Sequence, residues 1–243
     1  MTDRERVLLE RGFVLHHRPF RNTSQLLECL TSDHGRVGLV ANGSRRAGKG
    51  QRAYLQPFAP LRLSWTRRGE LGRLTQVEPE AAGLALRGQR LLAGYYINEL
   101  VMRLTARSDP NSDVFECYRN CLSALAGSAA LARTVRLFEL SLLRALGYGF
   151  DLDRDASTGE PLQPERRYVF ELEHGPKAAV DSSDGAAYWG RELMSIHSRL
   201  LDDRDSLRAA KRLLGRVLGA YLGQRPLKTR AVLEDIVELG LDH

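Results

Sequence analysis

Acidic residues are missing where basic ones crowd. Between Gly35 and Arg73 the chain carries nine Lys or Arg and one acid, Glu70. A face kept basic for solubility alone would mix the two signs, so this stretch asks for a polyanionic partner. Cysteine is also sparse. Cys29, Cys117 and Cys121 are odd in number and form no C-x-x-C pair, which excludes a disulfide framework and suits a reducing compartment. Cys117 and Cys121 lie one helical turn apart and read as small buried hydrophobes rather than a metal pair. No run reaches the roughly 18 apolar residues of a membrane span. The charged start, Met1-Thr2-Asp3-Arg4, leads into no apolar segment. A cytoplasmic protein with no membrane attachment is expected. Catalytic constellations are lacking as well: His16, His17, His34, His174, His197 and His243 show no H-E-x-x-H spacing, and there is no G-x-S-x-G. The expectation is a protein that binds rather than catalyses.

What is present is an ordinary globular composition, 43% hydrophobic and 27% charged over 243 residues, with a polarised charge. Residues 1–80 hold 14 basic and 8 acidic side chains, whereas 81–243 hold 22 of each. A concentrated cationic surface attracts a nucleic-acid backbone. The candidate phosphate contacts are Arg36, Arg67, Arg68 and Arg73, together with Arg45, Arg46, Lys49 and Arg52 of the Gly-rich loop Asn42–Arg52. That loop approaches the phosphate-binding motif G-x-x-x-x-G-K-[ST], but Gly50 stands where a hydroxyl must reach magnesium, and Pro57 and Pro60 follow instead of a helix. A P-loop-like NTPase is therefore the remote alternative.

Residues 12–78 read as five short strands, Phe13–Arg18, Gln25–Thr31, Arg36–Ala41, Leu61–Thr66 and Leu71–Val77. Five strands joined by basic loops describe an OB-fold barrel. Tyr54, Phe58 and Trp65 are aromatics able to stack on bases, although Trp65 shares the face of Leu61 and Leu63 and is better read as core. After Pro79 the period changes to about 3.6. Helices are predicted over Gln89–Ala106, Val114–Leu125, Leu131–Leu146, Glu192–Leu201 and Ser206–Leu222, the last capped by Asp205 or Ser206, with another after Pro226. The reading is α+β: an OB-fold over 1–80, then a mainly helical domain over 81–243 with a loop-rich insert at 150–188 and a possible strand at Arg167–Leu172.

A second cationic constellation lies in the last of these segments. Arg204, Arg208, Arg212 and Arg216 recur every four residues beside Lys211, and Lys228 and Arg230 follow. Ordinary solvated helix faces mix Glu with Arg. This stripe is a candidate for DNA or for an acidic partner surface, with Leu137 and Phe138 as apolar neighbours for a peptide. A protein-interaction adaptor, with DNA binding secondary, is the first alternative.

Several segments in order resemble the bacterial recombination and repair family RecO. They are Gly12-Phe-Val-Leu-His-His-Arg-Pro-Phe, Thr31–Gly43, Leu55-Gln-Pro-Phe, Tyr95-Tyr-Ile-Asn-Glu-Leu, Phe138-Glu-Leu through Leu146-Gly-Tyr-Gly, and Pro226-Leu-Lys-Thr-Arg. The resemblance implies an OB-fold and a helical domain. It implies binding of single- and double-stranded DNA, strand annealing, and work with RecR to load RecA onto strands covered by single-strand-binding protein, whose acidic, apolar-ended tail docks on the helical domain. A nucleoid-associated location follows from it. Many family members carry a four-cysteine zinc site after the Leu-Gly-Tyr-Gly segment. Here its first pair falls on Asp155 and Thr158 and its second near Asp181 and Asp184. Such ligands suit structural zinc poorly, so an insert without metal or cofactor is expected.

Overall fold

The computed structural model describes residues 5–44, 51–179, 187–223 and 227–229. Strands β1 (Glu5–Phe20), β2 (Ser24–Thr31), β3 (Gly35–Ala41), β4 (Leu61–Arg67) and β5 (Leu71–Pro79) close into a barrel in the order β1-β2-β3-β5-β4. Every neighbouring pair is antiparallel except β3 with β5. This is the expected OB-type barrel. A four-residue helix, α1 (Gln51–Tyr54), lies between β3 and β4. β1 is longer than the sequence suggests because its first half pairs with β4 and its second with β2. Val14, Leu27, Leu39, Leu63 and Trp65 fill the interior. Trp65 is fully buried, in keeping with its alternation with Leu61 and Leu63. Phe58 is also buried and packs edge-on against Tyr95, so of the three aromatics only Tyr54 keeps a surface on which a base could stack.

Period-two alternation fails in β2, where nearly every residue is buried, because the barrel's outer face is covered too. Helix α2 (Gly88–Leu104) packs on β1, and α3 (Ser112–Ala126) brings Phe115 and Tyr118 onto Phe13 at ring distances of 5.7 and 5.2 Å. One polar network crosses this apolar contact. Asn98 donates to the Leu15 carbonyl at 2.8 Å and accepts the Tyr118 hydroxyl at 2.7 Å. Burial holds the Tyr118 phenol well above the usual range, so it remains a donor. The turn before β3 leaves no room for a side chain: Gly35 has a φ of +64°, and a Cβ there would stand 2.1 Å from the Asp109 carbonyl oxygen.

The chain divides into two compact units, Met1–Ser128 with Leu227–His243, and Ala129–Pro226. α2 and α3 thus belong with the barrel. The second unit holds α4 (Leu131–Ala145), β6 (Arg167–Glu171), β7 (Gly175–Ala178), β8 (Tyr188–Trp189), α5 (Gly190–His197) and α6 (Arg204–Leu222). Its core joins Phe138 and Leu142 of α4 to Leu193 and Ile196 of α5 and to Leu213, Leu214 and Val217 of α6. β6 lies between β7 and β8 in a small antiparallel sheet, where only β6 was foreseen. The cap of α6 is Asp203, whose carboxylate accepts the Ser206 amide at 2.8 Å, not Asp205 or Ser206: the helix begins two residues earlier than its apolar stripe. The helix expected after Pro226 lies largely outside the described residues.

The return segment is tied to α2 by one carboxylate. Glu99 accepts the backbone amides of Lys228 and Thr229, each at 3.0 Å, and the Thr229 hydroxyl at 2.7 Å. Burial pushes the Glu99 carboxyl up, but these bonds and Arg103 outweigh it and hold the group below its ordinary range. A group depressed in the folded state lends stability above its unfolded pKa of about 4.3 and loses it as pH falls through the folded value. Exchange protection of the Lys228 and Thr229 amides should therefore drop in that acid window. Glu99→Ala should already lack the protection at neutral pH; unchanged protection in the variant would contradict the assignment. Separately, Asn98→Ala strands a buried carbonyl and should cost about 1–3 kcal/mol, read by urea unfolding of Trp65 emission. A change below about 0.5 kcal/mol would fall in the range of a surface substitution and mark the network as dispensable.

Candidate nucleic-acid interface

Carboxylates absent from the basic segment arrive from elsewhere in the chain. Glu28 on β2 takes Arg36 at 2.9 Å and also Arg107 from the loop after α2. Arg36 donates as well to the Thr105 carbonyl at 2.9 Å and is only 15% exposed. Glu5 holds Arg67 at 2.8 Å, and Arg67 donates to the Ser108 hydroxyl at 2.6 Å. Glu80 holds Arg62 at 3.0 Å. Arg36 and Arg67, both read from sequence as phosphate contacts, are thus engaged in holding the loop after α2 against the barrel. The hydrogen bonds that Arg107 donates to Glu28 raise the Arg107 pKa further.

Arg68 and Arg73 differ, being exposed at the β4–β5 hairpin. With Thr66, Arg67 and Leu71 they line an open cavity of about 380 Å³. Leu71 is 42% exposed, so the hairpin offers an apolar patch between cations, a combination suited to a base and its flanking phosphates. Arg45, Arg46 and Lys49 lie outside the described residues, and Arg52 falls in α1.

In the second unit Arg204, Arg208, Arg212 and Arg216 all lie on the exposed face of α6, with Lys211 half-buried beside them. Their mutual repulsion is relieved within the unit. Arg208 lies 4.0 Å from Asp205, and Arg212 is 3.9 Å from Glu192 while its guanidinium covers the Tyr188 ring at 4.7 Å. Arg216 hydrogen-bonds the same Tyr188. Lys228 belongs to the first unit, and Arg230 is outside the described residues. Phe138 is 3% exposed and can form no docking surface. A different cavity, of about 460 Å³, is lined by Leu140, Leu143, Phe150 and Ile196 with Arg144 and Arg199. The sequence reading missed it because those residues come from three separated segments.

The insert has its own order. Asp155, where a zinc ligand would fall, is 4% exposed and accepts the Ser157 amide at 2.8 Å and the Ala178 amide at 3.1 Å. Thr158 accepts the Glu160 amide at 3.3 Å. The carboxylate is therefore occupied in closing the turn and joining it to β7, and these residues do not fit a structural zinc. Asp181 and Asp184 lie outside the described residues. Asp151, Asp153 and His197 bring ligand atoms within 4.8 Å of one another at the surface, too few and too exposed for the closed four-ligand site that structural zinc takes.

The models of the N-terminal and C-terminal domains of recombination protein O match residues 6–82 and 86–231. The chain belongs to the recombination protein O family. Proteins named DNA repair protein RecO are similar to it over almost their whole length. That of Methylococcus capsulatus is 43% identical over 94% of this chain and 93% of its own. That of Nitrosococcus oceani is 41% identical over 97% and 96%, and that of Aromatoleum aromaticum 38% over 98% and 100%.

Metal analysis of untagged protein should find well under one zinc per chain, and a chelator should leave the melting of the second unit unmoved. Asp155→Ala should instead lower that unit's stability by about 1–3 kcal/mol, through two part-buried amides left without their acceptor, read at Trp189. Stoichiometric zinc would contradict the assignment of Asp155.

Proposed function

We propose that the chain binds single- and double-stranded DNA through its OB-fold, residues 1–80, anneals complementary strands, and with RecR helps load RecA onto strands covered by single-strand-binding protein. The observation that carries this reading is the hairpin groove. Its Arg68 and Arg73 are exposed and have no carboxylate partner among the described residues, while Arg36, Arg62 and Arg67 of the same segment each have one. Family membership supports the setting in DNA repair and recombination, and the expected location is the nucleoid. No covalent chemistry is needed. Two polyanions repel, and a protein that screens both while holding bases loosely lowers the barrier to their pairing.

The adaptor reading is retained as part of the same function. An acidic tail with an apolar end needs cations beside a greasy cleft, and the cavity of Leu140, Phe150 and Ile196 with Arg144 and Arg199 supplies both. The arginines of α6 are not among the residues that line it.

Salt-titrated binding of labelled single-stranded DNA to the full chain tests the groove. Arg68→Ala/Arg73→Ala should weaken binding alike for all sequences and flatten the log–log salt slope by about 0.7 for each lost contact. Alanine at Arg45, Arg46, Lys49 and Arg52 should flatten it further. An unchanged slope in both variants would place the DNA elsewhere.

A further inference from the structure

The hairpin groove is covered toward β3 and open toward β1. On the β3 side the loop after α2 lies along the wall: Arg107 bridges to Arg36, and a Cβ at Gly38 would stand 3.4 Å from the Arg107 guanidinium carbon and 2.8 Å from Leu71. On the β1 side Arg6 stands opposite Thr66, and Thr66 opposite Arg73. These three share the outer face, while Val7, Trp65 and Leu74, one position along each strand, fill the interior. Arg6 is exposed. Beyond it β1 leaves regular pairing. The register slips between Val7 and Glu10, and Leu8 and Leu9 face outward, 60% and 46% exposed. Leu9 has a φ of +51°, a left-handed conformation that leucine adopts only at a cost. The bulge is held on both sides of that residue: the buried Ser64 hydroxyl accepts the Leu9 amide at 3.0 Å, and Arg62 donates to the Leu9 carbonyl at 3.3 Å. A bulge re-aims side chains, and this one turns two leucines to the surface beside the groove.

We infer that Leu8 and Leu9 form an apolar shelf on which the bases of a single strand lie as it leaves the hairpin groove, with Arg6 and Arg73 on its phosphates, so that this face selects single-stranded over duplex DNA. The inference rests on the DNA-binding reading above and gives strand preference a residue basis. Continuity favours it. Thr66 and Arg73 line the groove and belong to the row that ends at Arg6. From Arg73 to Arg6 are two strand spacings, about 10 Å, the span of about three phosphates at 3.4 Å along a strand. Charge favours it too. Arg6, Arg68 and Arg73 have no carboxylate partner among the described residues, whereas Glu5 is taken by Arg67 and Glu80 by Arg62. Glu78 stands opposite Arg62, beyond the bulge, and Glu70 in the hairpin turn acts on Arg107. Residues 1–4, outside the described residues, hold Asp3 and Arg4 and bring no net negative charge. Chemistry separates the two forms of DNA: a single strand offers base faces that leave water on an apolar surface, whereas a duplex keeps them stacked inside and presents mainly phosphates.

The test titrates the full chain, at several salt concentrations, into a labelled fifteen-residue oligothymidylate and into a labelled fifteen-base-pair duplex. Leu8→Ser/Leu9→Asn keeps the bulge, since asparagine accepts the left-handed conformation. It should lower single-strand affinity at least about fivefold, the lower end of what a stacking platform contributes under one base, while duplex affinity stays within about twofold and neither salt slope changes. Leu8→Ser alone, at an exposed site without strain, should show the same selectivity in smaller measure. Arg6→Gln should instead flatten the single-strand salt slope by about 0.7, the signature of one lost phosphate. Unchanged single-strand affinity in both leucine variants, or equal loss for strand and duplex in Leu8→Ser, would overturn the shelf. So would leucine variants that hold DNA as wild type does but no longer sediment with RecR, which would make the face a protein surface. The two readings fail separately. If Arg68→Ala/Arg73→Ala weakens both ligands while the leucine variants weaken neither, the shelf alone is refuted; if the arginine variant weakens neither ligand, the groove reading itself fails.

Discussion

The structure depends on how few carboxylates are shared among many arginines. Glu28 serves both Arg36 and Arg107, Glu5 serves Arg67, and Glu80 serves Arg62. Arg107 on Glu28, with Arg36 on Thr105 and Arg67 on Ser108, fastens the loop after α2 to the barrel wall, and because Arg36 and Glu28 are each only 15% exposed their pairing matters more than at an open surface. Removing Glu28 would leave two guanidinium groups facing each other. Arg68 and Arg73 at the hairpin have no carboxylate partner among the described residues, and it is there that the proposed nucleic acid would take a carboxylate's place.

In the second unit aromatic rings act beside acids, since Arg191 also pairs with Glu165 at 2.7 Å and Arg212 lies 3.9 Å from Glu192. Arg167 and Arg191 rest on Trp189, and Arg212 on Tyr188. A ring face attracts a cation without cancelling its charge. The insert shows a related economy of means: Asp155 closes a turn by hydrogen bonds to two amides.

Much of this was legible in the sequence, and the failures have definite causes. Strand positions and the OB-type barrel followed from period-two alternation and turn residues, and Trp65 was placed correctly because Leu61 and Leu63 share its face. β1 was read short since its pairing with β4 runs from Glu5 with Arg67 to Gly12 with Leu61, a separation invisible to a local pattern. The period change at Pro79 marks a change of element type; it does not reveal that α2 and α3 share their apolar faces with the barrel, through Phe13 and Asn98. Arg36 and Arg67 looked unpaired because charge was counted along the chain, whereas their partners Glu28 and Glu5 come from other strands. β7 and β8 are too short to show periodicity, so the sheet that presents Trp189 had no sequence signal beyond β6. The hairpin groove was legible as charge but not as shape.

The central claim is that carboxylate allocation separates structural arginines from those that meet nucleic acid. Arginine-selective chemical labelling of the full chain, read by mass spectrometry with and without single-stranded DNA, tests it directly. Arg36 and Arg67 should label slowly in both states, while Arg68 and Arg73 should label readily and become protected when the strand binds. Ready labelling of Arg36 that DNA suppresses, with Arg68 and Arg73 unaffected, would contradict the account.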